Sequence, residues 1–251
     1  MPNDKLEQQR SFWGPIATIL WGLFIAFVIV ITQAIAVIAY IATKGIVLSR
    51  QVSVAVAQLQ YDGLLLSICT FSSAVVCWLA IIVVVKLKRG SRIREYLGLV
   101  LPAKRQFLVW FLILLGFIVL SDGLSLLIGK PIVPEFMSKT YTSLNSPWIL
   151  WMALLVAAPF SEELFFRGFL IKGLSASVLR WYGAVILSSL AWAIVHQQYD
   201  LYGVVTIFAL GLILGVARVK TGSIFLTMFL HFFCTLIAIA ETLVHLRWIS
   251  A

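Results

Sequence analysis

Glu162, Glu163 and Arg167 stand in the stretch PFSEELFFRG (159–168), at the end of an apolar run that extends from Trp148 to Phe160. A charged side chain at mid-membrane depth costs about 2.5–3.5 kcal/mol on insertion scales. Two adjacent carboxylates in such a place need a chemical reason. Glu163 and Arg167 are four apart, acid before base, the favourable order for a pair on one helical face. Glu162 points about 100° away at 3.6 residues per turn, which leaves it as the acid without a local partner. A plainer reading makes Ser161 the cap of a helix restarted after Pro159, with both acids favouring its first turn.

Two histidines argue against that plainer reading. His196 closes the apolar stretch LAWAIVHQQ, and His231 lies inside LTMFLHFFCTLIA. The 1.5 Å rise per residue puts Glu162, His196 and His231 each about 13–21 Å from its inner helix end, near the middle of a ~30 Å hydrocarbon core. A carboxylate can take a proton from water while an imidazole orients that water, and the resulting hydroxide-like oxygen can attack a carbonyl. The oxyanion then needs preorganised donors. His231 can be one, and Thr235, one turn further on, can offer a hydroxyl. A zinc reading would instead use Glu162, His196 and His231 as ligands, with water in the fourth position and Glu163 as base. No HExxH is present, and the expectation is catalysis without a metal. His245, past the last apolar run, is expected at the membrane interface.

The elements that must carry these groups follow from composition. Of 251 residues, 62% are hydrophobic and 12% charged, against about 25% charged in soluble domains. The chain is therefore expected to be all-α, a polytopic membrane helix bundle, with nothing that suggests a nucleic-acid partner. Seven apolar segments stand out: Trp13 to Ala42, Gly63 to Val85, Phe107 to Ile128, Trp148 to Leu170, Tyr182 to Val195, Leu201 to Val216 and Ile224 to Leu243. The fifth and sixth are short against the roughly 20 residues a span needs. A kink in the first would raise the count to eight. Residues 1–106 read as N-terminal transmembrane helices with a basic loop, and 107–245 as the core that carries the chemistry. Ser49 to Tyr61 reads as an amphipathic interfacial piece. The first run is too long for a cleavable signal peptide. Cys69, Cys77 and Cys234 lack metal spacing and read as small core side chains. Gly211 and Gly215 form a GxxxG, read as a close helix-packing face.

With seven spans and an inner N-terminus, the inner side collects Lys5, Arg10, Lys86, Lys88, Arg89, Arg92, Arg94, Lys104, Arg105, Arg167, Lys172, Arg180, Arg218 and Lys220, fourteen of the nineteen basic residues. That asymmetry predicts a cytoplasmic N-terminus in a bacterial plasma membrane. The stretch Lys86 to Gly98 reads as a topology anchor, with anionic lipid headgroups as its sharper alternative.

Glu162-Glu163-Leu164-Phe165-Phe166-Arg167 matches the EExxxR motif of the CPBP family, the CAAX-protease and bacteriocin-processing intramembrane proteases. Trp192 to His196 resembles that family's FxxxH motif, with Trp in place of Phe. His231 to Thr235 resembles its HxxxN motif, and REYLGL (Arg94 to Leu99) is similar to a stretch often seen ahead of the domain. The similar region runs from about Phe107 to Leu243 and is strongest from Ala158 to Thr235. The resemblance implies a glutamate-dependent intramembrane endopeptidase acting on a membrane-associated or lipidated, CAAX-like peptide. Glu162 and His196 would activate water, His231 and Thr235 would form the oxyanion hole, and Glu163, Arg167 and Trp192 would support them. The family has also been described as metalloproteases, which leaves zinc as the alternative to catalysis without a metal. Thr235 departs from the motif, because a hydroxyl donates one hydrogen bond where an amide offers two. That departure favours the alternative of a non-catalytic immunity or accessory protein on the same scaffold. A proton-coupled transporter would want more intramembrane acids or a duplicated pattern, and neither is seen.

Overall fold

The computed structural model describes residues 12–44 and 58–249. Most of the stretch Ser49 to Tyr61 lies outside the described residues. The chain is all-α in what is described: α1 (Pro15–Thr43), α2 (Gly63–Leu87), α3 (Ile93–Leu97), α4 (Lys104–Leu127), α5 (Glu135–Thr142), α6 (Trp148–Leu174), α7 (Arg180–Ile194), α8 (Leu201–Thr221) and α9 (Ile224–Ile249). Six of these are long and apolar enough to cross a membrane: α1, α2, α4, α6, α8 and α9. The first apolar run is a single helix, so the kink that would have added an eighth span is not found. The fifth run forms α7, whose 15 residues rise only about 22 Å, less than the ~30 Å core. Among the described residues six helices thus qualify as spans by length and composition where seven were expected, although α7 still carries the chain back from the end where α6 stops toward the end where α8 starts. The sixth run gains a turn and reaches 21 residues. Side chains of Leu20, Phe27, Leu112, Val119 and Leu120 stand exposed on the outside, as a bundle surrounded by lipid requires.

Local chemistry fixes the ends. Pro15 starts α1, where a missing N–H costs nothing. Asp62 caps α2 by accepting from the N–H groups of Leu64 and Leu65 at 3.0 Å and takes the Tyr40 hydroxyl at 2.7 Å. Asp200 caps α8 through the Gly203 N–H at 2.9 Å. Opposite these caps, α3 and α8 stop at Gly98 and Gly222, both left-handed (φ 69° and 70°). The Ile224 N–H donates to the Gly98 carbonyl at 2.9 Å, Ser223 Oγ to Val100 O at 2.6 Å and Trp13 Nε1 to Val84 O at 3.0 Å. One end of the bundle thus gathers Asp62, Ser143, Lys130 and Asp200, and the other gathers the basic residues around Gly98.

The helix that carries the two glutamates is irregular. Ala153–Ala157 and Glu163–Leu170 are wide π-type turns around the α-helical Ala158–Glu162. Pro159 explains the first. It has no N–H to donate, and its ring crowds the carbonyl four residues back, that of Leu155, which lies inside the wide turn. Such bulges recur at functional sites. The helix does not restart at Ser161. That side chain is no cap, because its hydroxyl donates backwards to the carbonyl of Ala157 at 2.7 Å.

Candidate functional site

Four helices, α6, α7, α8 and α9, meet around Arg167, and each contributes one contact to the site. From α6, Glu163 and Arg167 are both 0% exposed, with Arg167 Nη1 donating to Glu163 Oε1 at 2.8 Å. An ion pair this deep is costly unless its remaining groups are also met. Among the described residues Glu163 Oε2 and Arg167 Nε have no hydrogen-bond partner, and the other contacts come from the neighbouring helices. From α8, the Gly211 carbonyl accepts from Arg167 Nη2 at 3.4 Å. From α7, the Trp192 ring lies 4.3 Å from the guanidinium carbon, close enough for a cation–π contact. From α9, His231 Nδ1 lies 3.1 Å from Glu163 Oε1. Arg167, grouped above with inner-loop charges, is thus an interior residue. The GxxxG of α8 makes the approach possible: a Cβ added at Gly211 would sit 2.9 Å from Ser189 Cβ and 3.2 Å from Trp192, and one at Gly215 would sit 2.7 Å from Val185.

Glu162 is half-buried and also has a partner, though a distant one in sequence. Trp192 Nε1 donates to Glu162 Oε2 at 2.5 Å. The same tryptophan holds both histidines edge-on, His196 at 5.2 Å and His231 at 5.1 Å between ring centroids. His196 follows the last turn of α7, and its Nδ1 lies 2.7 Å from the Trp192 carbonyl. A carbonyl only accepts, so Nδ1 carries the proton and Nε2 of the neutral ring is left as an acceptor. The structure therefore brings Glu162, Glu163, Arg167, Trp192, His196 and His231 together. Thr235 lies one turn beyond His231 on α9, half-buried. His245 is still within α9, near its end, half-exposed. The three cysteines are free. Cys77 packs under the site, with Sγ 3.7 Å from the Ser161 carbonyl.

Sequence reasoning did not single out Tyr199. It stacks on His196 at 6.4 Å between centroids and packs against Phe136. Burial, reinforced by the nearby Glu162 carboxylate, pushes its phenol up to about 12, so near neutral pH it is a protonated donor beside that acid. Its only sequence signal was its place three residues after His196.

Comparison with known proteins covers the same region. Residues 144–237 match the family model described as Rce1-like, type II CAAX prenyl endopeptidase Rce1-like. That segment holds every residue of the cluster and less than half of the chain. An uncharacterized 24.3 kDa protein of Escherichia coli is 31% identical over 113 residues, which cover 42% of this chain and 52% of the relative. The chain thus spans about half the length of the curated relative it matches. No solved structure matches it. Over part of its length, then, this chain is homologous to the CAAX-protease families, and it is built as a multi-pass membrane helix bundle.

Proposed function

We propose that the protein is an intramembrane endopeptidase that hydrolyses a peptide bond of a membrane-associated or lipidated, CAAX-like peptide with glutamate-activated water. The observation that carries the reading is the unequal treatment of the two acids. Glu163 is neutralised by Arg167 and held by His231, whereas Glu162 has one oxygen fixed by the Trp192 indole and the other oxygen available to water.

In this reading, water donates to the free oxygen of Glu162 and to His196 Nε2. Its oxygen attacks the scissile carbonyl carbon as its proton passes to Glu162, an assistance typically worth 10²–10⁴-fold. The oxyanion accepts from the Thr235 hydroxyl and from an N–H of the His231 ring, whose Nδ1 lies against Glu163. Collapse returns the proton from Glu162 to the leaving amine. Tyr199 supplies a further protonated hydroxyl on the His196 side. The basic end of the bundle faces the cytoplasm of a bacterial plasma membrane, as positive-inside placement favours, and substrate enters from that leaflet or laterally.

The reaction as written requires no metal. Were zinc present, Glu162 and the Nε2 atoms of His196 and His231 would hold it, and it would supply a polarised water. The metal would compete with the Trp192 indole N–H for Glu162, whose Oε2 already accepts from it at 2.5 Å. Thr235 keeps one rival alive, a non-catalytic immunity or accessory protein. The deciding experiment compares membranes holding wild type and Glu162→Gln for new peptide termini. The amide still accepts from Trp192 but cannot take a proton from water, so the fold should persist and cleavage should vanish. Identical termini in both membranes would refute the enzyme.

A further inference from the structure

A second charged cluster lies at the basic end of the bundle, where α3, the ends of α6 and α8 and the turns at Gly98 and Gly222 converge. Arg218, in the last turn of α8, is only 8% exposed, and its Nε has no hydrogen-bond partner. Among the described residues, no carboxylate lies within ion-pair distance of it. Its guanidinium packs where Gly98 lacks a side chain: a Cβ there would collide with Arg218 Nη2 and with the Gly222 carbonyl oxygen. Lys172, from the last turn of α6, is half-buried and within electrostatic reach of Arg218, its ammonium 3.9 Å from the Phe12 ring centre. Glu95 is the acid in that reach, but it is exposed and already paired with Arg92 at 3.3 Å.

Two cations within electrostatic reach of each other, one of them buried, are unfavourable without a counter-charge, since buried charges are paired. The C-termini of α6 and α8 supply about half a negative charge each, about one together, which still falls short of two cations. Arg218 and Lys172 sit about 3–5 Å inside their helix ends, the depth at which headgroups meet the hydrocarbon. We propose that Arg218 and Lys172 bind a phosphate-class anion, carried on a lipid headgroup or free in solution, and that it locks the ends of α6 and α8 to the α3 turn. Arg218 contributes its buried fork and Lys172 its mobile ammonium, while Lys86, Lys88, Arg89 and Arg94 raise the local anion concentration. The site is separate from the glutamate cluster, and its failure would leave the proposed cleavage untouched.

The test is thermal melting of the full chain in a non-ionic maltoside detergent, with phosphatidylglycerol, phosphatidylcholine or inorganic phosphate added. At about a hundredfold excess over the dissociation constant, phosphatidylglycerol should raise the melting temperature by roughly 5–10 °C, and phosphatidylcholine should do little. Lys172→Gln should weaken the response about tenfold and Arg218→Met should abolish it. Lys220→Gln, an exposed change at the same end, should leave it intact. Inorganic phosphate reproducing the shift would assign the anion to solution and keep the site; a shift from the lipid alone assigns it to the membrane. If Arg218→Met does not fold, the contrast between Lys172→Gln and Lys220→Gln decides. No shift from either anion overturns the proposal, and so does equal weakening by the two lysine changes, which means a diffuse basic surface. Asp4 and Glu7 lie outside the described residues. A wild type that responds to neither anion until Asp4→Asn with Glu7→Gln is introduced would place the counter-charge within the chain and also overturn it.

Discussion

Replacing Glu163 by alanine removes the one acceptor shared by Arg167 Nη1 at 2.8 Å and His231 Nδ1 at 3.1 Å. Both members of the ion pair are fully buried, so water cannot substitute. Breaking a buried pair from one side costs about 3–5 kcal/mol, because the surviving charge is left uncompensated. Arg167 would keep the Gly211 carbonyl at 3.4 Å and the Trp192 face at 4.3 Å. A desolvated cation–π contact of about 2 kcal/mol already exists in the wild type and cannot be gained again. The expected loss is therefore the full 3–5 kcal/mol, or roughly 6–20 °C in melting temperature at 2–4 °C per kcal/mol for a chain of this size. The assay is thermal melting of purified protein at pH 7 for Glu163→Ala, Arg167→Met and the double variant. Arg167→Met alone should also destabilise, by stranding the Glu163 carboxylate. The double variant should be more stable than the two losses added together, with a coupling of about 1–3 kcal/mol. A Glu163→Ala protein that melts within about 3 °C of wild type, or strict additivity in the cycle, would mean that the pair does not hold α6 to α8 and α9.

Thr235→Val should lower single-turnover cleavage by about ten- to a hundredfold with little change in substrate binding, less than the 10²–10³ of a well-aligned oxyanion donor, whereas Thr235→Asn should retain or raise it; equal rates for wild type and Thr235→Val would make the hydroxyl a packing group. Activity should survive chelation, and loss on chelation with recovery on zinc return would transfer the mechanism to the metal. The Lys130 ammonium, hydrogen-bonded to Asp200 at 2.5 Å, holds that carboxyl below its ordinary value, helped by the Gly203 N–H. A lowered folded-state value stabilises above the unfolded value near 3.9 and is lost as pH falls through the folded one. Both partners are about half exposed, so Lys130→Ala should cost under about 1 kcal/mol at pH 7, and its deficit should close below about pH 4; a deficit independent of pH would count against the ion pair.

The sequence made the apolar segments legible, because they depend on counting along one helix. Asp62, Asp200, Gly98 and Gly222 act locally, and the segments they bound appear close to where hydropathy puts them. α7 shows the limit of that counting. Its apolar run is real, but whether 15 residues cross, tilt or stop short is settled by its packing along α8 through Gly211 and Gly215, which hydropathy does not register. The irregular α6 marks a second limit. Pro159 was visible as a break in the pattern, yet a restarted helix and a continuous helix with a wide turn look alike until the carbonyl of Leu155 is placed.

The two glutamates mark the limit that matters for function. Glu163 and Arg167 form a pair within reach of sequence arithmetic, and they are found in contact. The partners that separate the acids are not within reach, since Trp192 is 30 residues from Glu162 and His231 is 68 from Glu163. Spacing along α6 treats Glu162 and Glu163 as near equivalents one residue apart. Their difference arises because α7 brings an indole N–H, a neutral donor, to one carboxylate, while a guanidinium and an imidazole reach the other. A carboxylate that accepts from one neutral donor keeps one oxygen open. One that is already ion-paired and hydrogen-bonded to a histidine is committed to holding helices. The proposed division between a working acid and a holding acid thus follows from which neighbouring helix meets each side chain. It predicts that exchanging the neighbours, with Trp192→Phe at one acid or Arg167→Met at the other, perturbs cleavage and stability respectively rather than both alike.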